Sequence, residues 1–275
     1  MPTLYAWAKP AFFNGSLMDH TWVTDYDNRT QKYLDINEVV ANGKNYWYAW
    51  GDYHILGSTP LLTDGFVCGG DGSLPLAKCL CLPNVPSKQN HLARGTIFNY
   101  GIEGVCHQLT NQILAATDSK LLVTKVRGYI LTTMFFGDYG KSEDKFWNSK
   151  YTGCSSQPDS YRSDLMSFKE VQMNRHVDTF ETRARSILSG KSNHHKLNKL
   201  LELRRAQQSY LHSLSDKIDS EKISYPSAEE LNAKYNEFLS QAADLLGPAA
   251  FQSIFDFPPD TVVKLVDESQ LKSAA

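Results

Sequence analysis

The sequence predicts an α+β protein in two parts: a mixed sheet-and-helix N-terminal domain over 1–155 and a C-terminal helical bundle over 156–275. Two observations carry this. Before about residue 155, aromatic and β-branched runs are broken by glycine, proline, asparagine and aspartate; after it, apolar residues recur at helical spacing with charges between them. At 275 residues and 41% hydrophobic content, the chain can bury one large core or two ordinary ones.

Leu4 to Ala8 reads as a short strand and His20 to Tyr26 as a second. A period of two puts His20, Trp22, Thr24 and Tyr26 on one face. Asn45 to Trp50 reads as a third; if it persists, Tyr46, Tyr48, Trp50, Asp52 and His54 share a face. Residues 57–95, rich in glycine and proline, read as a long irregular excursion. A helix is expected over roughly 104–117. The run from Leu121 to Phe136 is rich in β-branched and aromatic residues and predicts one long or two short strands, ended by Gly137-Asp-Tyr-Gly140.

Three helices follow. Ser163 to Leu188 stops at Ser189-Gly190, and Ser192-Asn193 restarts a helix to about Ile223. Ser227 caps the third, with Glu229 and Glu230 in its first turn, and Gly247-Pro248 ends it. In that helix Leu231, Tyr235, Phe238, Leu239 and Ala242 form one apolar face. A short helix at Ala249 to Phe255 precedes the Pro258-Pro259 break. The basic run from Lys191 to Arg205 reads as a solvated helix face.

A net charge of −2 gives no electrostatic reason to expect nucleic acid as a partner, and no stretch approaches the ~18 apolar residues of a membrane span. The N-terminus lacks the basic start and apolar core of a secretory signal, so a cytoplasmic location is expected; export that reads no such signal stays compatible with this. Five cysteines on a chain this long fit reduced thiols better than a disulfide framework. No Walker, dinucleotide-binding or G-x-S-x-G pattern occurs, and no cofactor is expected.

Cys106 is the residue best placed for chemistry. The stretch Gly101-Ile-Glu-Gly-Val-Cys-His107 runs a glycine-bearing loop into a helix, whose unpaired N–H groups favour a thiolate and can receive an oxyanion. His107, about 100° further round the helix, is an awkward base for Cys106; bonding to Asn111 or packing suits it better. His20, on a rigid strand, is the better base, with Asp52, His54 or Asn45 on the neighbouring strand to orient it. The equally plain alternative is that Cys106 is a small buried hydrophobe and the histidines are structural.

A histidine on an early strand, a polar orienter on the next and a cysteine at the start of a later helix resembles the order in circularly permuted papain-like proteins, including permuted NlpC/P60 and lecithin:retinol acyltransferase-like enzymes. The resemblance spans about residues 1–140 and rests on His20, the Asp52/His54 region and Gly104-Val-Cys-His107. The Asn-Cys-Glu-His motif of the acyltransferase branch is absent, because Cys106 follows valine and precedes histidine. The resemblance implies a papain-like N-terminal domain and a cysteine peptidase or amidase acting on a peptide or other amide, ester or thioester substrate. Cys106 would be the nucleophile, His20 the base, and Asp52 or His54 the orienter. The rival expectation is a non-enzymatic interaction protein that binds a peptide or glycan, with a protein partner on the C-terminal helices.

Two further clusters invite a metal. Cys68, Cys79, Cys81 and His91 could close a zinc site, but the usual two-residue gap within a ligand pair is missing. His194 and His195 lack helical i, i+4 partners, since 191 is lysine and 198 is asparagine. No metal is expected at either.

Overall fold

The computed structural model describes residues 4–11, 17–24, 47–48, 61–68, 100–115, 124–140 and 177–268. Four antiparallel strands, β1 (Leu4–Pro10), β2 (Asp19–Thr24), β3 (Trp47–Tyr48) and β4 (Leu61–Cys68), lie in the order β3-β2-β1-β4. The described helices are α1 (Cys106–Ala115), α2 (Tyr129–Phe136), α3 (Thr179–Ile187), α4 (His194–Asp219), α5 (Ala228–Leu246) and α6 (Pro248–Phe255), with a 3-10 turn at Lys191–Asn193 before α4.

The papain-like α+β expectation is overturned, because the described protein is helix-rich and its core is helical. Of the residues before Tyr100 whose side chains are described, Ala8 and Met18 enter that core. The stretch expected to supply strands at 121–136 instead carries α2. Leu131, Thr132, Thr133, Met134, Phe135 and Phe136 are all buried, so this helix is enclosed nearly all round and shows no amphipathic period. High β-propensity says that a residue fits a half-buried pleated surface, and tertiary burial overrides it here. Gly128 and Gly137, at φ +75° and +68°, close the helix at its two ends. At Gly128 a Cβ would fall 2.4 Å from Met18 Cγ, so glycine also admits the β2 side of the molecule.

The later helices follow their local signals. Asp178 caps α3 by accepting from Glu181 N at 2.8 Å. Ser227 and Glu230 form a reciprocal capping box at α5, whose buried face includes Leu231, Tyr235, Phe238, Leu239 and Ala242. Gly247 ends α5 and Pro248 opens α6. Phe251 packs against Phe255 at a tilt and meets Phe257 edge-on, with ring centroids 4.6 and 5.6 Å apart, and Phe180 joins them through Phe255. Tyr235 meets Phe135 at 4.6 Å, tying α5 to α2.

Arg204 of α4 links three helices. Its guanidinium donates to Met134 O and Thr133 O at the end of α2 and to the Asp178 carboxylate that caps α3, and it lies 5.0 Å from the Phe180 ring centroid. A cation at the carbonyls of a helix C-terminus is electrostatically favourable, and burial strengthens the effect. The expected boundary near residue 155 lies outside the described residues.

Candidate functional site

The approach to α1 is a tight turn. Gly101 sits at φ +75° and donates to Gly104 O at 2.7 Å. The hydroxyls of Tyr225 and Tyr235 donate to Tyr100 O and Gly101 O, fixing the turn from the far end of the chain. A Cβ at Gly101 would lie 2.6 Å from Val266 Cγ2, so both the backbone angle and the close approach require glycine. The Gln108 side chain reaches back to accept from Val105 N at 3.2 Å, which supplies half of a capping box in a helix that begins without a polar cap.

Cys106 and His107 then meet the edge of β2. Met18 and His20 turn their backbone toward β1, as Ala11 N donates to Met18 O and His20 pairs with Lys9. The Asp19 backbone therefore faces the other way. Its N–H donates to Arg127 O at 3.1 Å, and its carbonyl accepts from His107 Nε2 at 2.8 Å and from Cys106 Sγ at 3.8 Å. The Asp19 carboxylate takes the Arg127 N–H and Nε at 3.0 and 2.8 Å.

The expected juxtaposition of the cysteine helix with the histidine strand is realised, but the reacting pair is not. Thr110, one turn beyond Cys106, donates its hydroxyl to Thr21 Oγ1 at 3.1 Å, so the Thr21 side chain faces α1. By the alternation of a strand, His20 projects to the opposite face, where it is buried. Asp52 and His54 lie outside the described residues.

Burial controls the protonation states. Desolvation pushes the Cys106 thiol up to about 11; hydrogen bonds from Thr21 and the His107 backbone pull the other way without overcoming it, and the Asp19 charge raises it further. His107 is pushed down to about 4, again by desolvation, against the favourable Asp19 carbonyl and carboxylate. Near neutral pH the pair is therefore a thiol beside a neutral imidazole. A carbonyl can only accept, so His107 carries its proton on Nε2 and presents Nδ1 to the Thr132 hydroxyl 3.1 Å away.

Around this pair runs a polar seam between α1 and α2. Gln108 Nε2 donates to Thr132 Oγ1 and Gly137 O; Asn111 Nδ2 donates to Tyr129 OH and Asp138 O. Tyr129 OH donates to Asp138 Oδ1 at 2.5 Å, and Asp138 Oδ2 accepts from Thr179 N at the start of α3. His107 thus bonds Asp19 and Thr132 rather than Asn111. Sequence reading takes Asp138 for a turn residue. The overlooked signal is its position directly after the helix-ending Gly137 in a run otherwise apolar, where a carboxylate that enters the core needs partners.

Cys106 and His20 do not line the open groove of about 1010 Å³ bordered by Lys125, Arg127, Ile130, Arg183, Ile187 and Phe255. Among the described residues, no three His, Cys, Asp or Glu side chains gather as metal ligands, and no helix is long and apolar enough to cross a membrane. Of the Cys68, Cys79, Cys81 and His91 set, only the Cys68 backbone in β4 is described. No protein-family model, curated protein or solved structure matches this chain.

Proposed function

We propose that this chain acts by binding, as a non-enzymatic interaction protein for a peptide or glycan with a protein partner on its C-terminal helices, and that Cys106 serves as a buried structural thiol. The observation that carries the reading is geometric: the Cys106 and His107 side chains are buried and bonded to the Asp19 carbonyl, His107 also meets Thr132, and it is Thr21 rather than His20 that faces their helix; that burial raises the thiol and lowers the imidazole. A resting nucleophile needs the opposite, a depressed thiol in reach of an imidazole that can take its proton. The competing cysteine-hydrolase reading draws on the seating of the Cys106 helix against β2, the strand that bears His20.

Iodoacetamide alkylation of Cys106 as a function of pH, read by mass spectrometry on the native chain and on His20→Ala, separates the two. Binding predicts a thiol protected in both proteins until they unfold. Fast alkylation below neutral pH that slows in His20→Ala would overturn this reading in favour of the hydrolase.

A further inference from the structure

The groove of about 1010 Å³ lies between the approach to α2, the helix α3 and the end of α6. Ile130 and Ile187, half-buried against the core, and Val177, 72% exposed, give it an apolar part that a partner's apolar side chains can cover. Its charges are lopsided. Lys125, Arg127 and Arg183 line it against one lining carboxylate, Asp256. Arg183 pairs with Asp256, and Arg127 pairs at 2.8 Å with Asp19, which is not part of the lining. Both pairs lie at the surface, where an ion pair contributes little and a guanidinium can share a further carboxylate. Lys125 is exposed and makes no ion pair among the described residues. Even with Asp19 counted, cations outnumber carboxylates here, in a chain whose net charge is −2.

These features select among ligands. A glycan presents ring faces and hydroxyls, which call for exposed aromatic rings and neutral hydrogen-bonding groups. The aromatic side chains of the lining, Tyr129 and Phe255, are 1% and 3% exposed, and Thr182 and Ser253 turn their hydroxyls back to Asp178 O and Ala249 O. Positive charge and apolar surface are the groups that remain to meet a ligand. A small-molecule site buries most of its ligand, whereas this groove is open along one side. A peptide that carries carboxylates and apolar side chains supplies both complements and keeps its outer side in water.

We propose that this groove is the docking site for an acidic peptide segment of a partner protein, whose carboxylates meet Lys125, Arg127 and Arg183 and whose apolar side chains cover Ile130, Val177 and Ile187. The proposal rests on the binding reading above and names its surface and the chemistry of its partner. The two fail separately. A protected Cys106 with no peptide in the groove leaves the binding reading standing without this site, and rapid alkylation removes that reading whatever the peptide does.

The test titrates the full chain into a short fluorescein-labelled peptide of alternating glutamate and leucine, read by anisotropy. The peptide should bind with a Kd below about 1 mM and more weakly as salt rises. Versions with lysine for glutamate, or serine for leucine, should bind at least about tenfold more weakly. Lys125→Glu and Val177→Asp, both at exposed positions, should each weaken binding by about fivefold or more without moving the unfolding midpoint. No binding at about 1 mM, equal binding of the lysine version, or unchanged binding by both variants overturns the proposal. Amide shifts of the isotope-labelled, unaltered chain give a decision that needs no variant. They should move within 124–130, 177–187 and 253–256 when the peptide is added, and movement only elsewhere overturns it. A dimer of the unaltered chain in sedimentation that Lys125→Glu dissociates would give the groove to a second copy and also overturn it.

Discussion

The α1–α2 seam and the phenylalanine cluster of α3 and α6 bury side chains to a similar depth by opposite chemistry. In the seam, His107, Gln108, Thr110, Asn111, Thr132 and Asp138 are buried and bonded to one another, to the Thr21 and Tyr129 hydroxyls or to backbone. In the cluster, Phe180, Phe251, Phe255 and Phe257 contribute contact area and no polar atoms. Apolar packing tolerates small shifts and loses stability roughly with the volume removed, whereas a polar seam is sensitive to each missing partner and to pH.

The largest effect belongs to the phenylalanine cluster. Phe251 is fully buried against two other rings, and Phe251→Ala should cost about 3–5 kcal/mol, measured by denaturant unfolding. A loss below about 1 kcal/mol would mean that the cluster collapses around the gap and is less rigid than the seam.

The second test concerns the seam and its titration. His107 is held at about 4 in the fold against an ordinary 6.5, so the unfolded chain binds more protons between those values. Stability should rise with pH through that window and fall as pH drops through it, levelling off below about 4, with a total change on the order of 3 kcal/mol. Unfolding midpoints across this range, compared with His107→Gln, read it directly. The seam origin fails if the slope is unchanged in the variant.

Gln207 sharpens the contrast because it breaks the seam's rule. It is fully buried in α4, and neither amide atom has a hydrogen-bond partner among the described residues. Gln207→Met keeps the length and removes the unanswered polar atoms, so it should stabilise by about 1–2 kcal/mol. Destabilisation on the melting curve would show that the amide is bonded in solution. The smallest expected effect is at the surface, where Ser227→Ala removes the α5 cap and should cost about 1 kcal/mol. In this variant the Glu230 carboxyl, held below its ordinary range by the Ser227 backbone N–H and hydroxyl, should titrate higher by NMR.

Legibility in the sequence follows the same division. The α5 start at Ser227 with Glu230, its stop at Gly247, the Leu231–Tyr235–Phe238–Leu239–Ala242 face and the onset of α1 near Cys106 were all readable, because caps and periodicity act within a few residues. The 121–136 stretch was not, since a helix buried nearly all round loses the period that marks it and keeps only misleading β-branched and aromatic composition. Asn232 and Asn236, whose side chains bond the backbone of Val263, Leu265 and Val266, left a faint trace. Two asparagines at i, i+4, poor helix formers, sit next to an apolar stripe in an otherwise regular helix.

At the candidate site, local signals alone place Cys106 at the opening of a helix behind a glycine turn and His20 on an early strand. Which face of β2 meets that helix depends on register and packing between segments nearly ninety residues apart. Tertiary structure placed Thr21 there and turned His20 away. The thiol's state also follows from the fold: a helix start favours a thiolate, but burial removes the water a charge needs, and desolvation outweighs the local dipole.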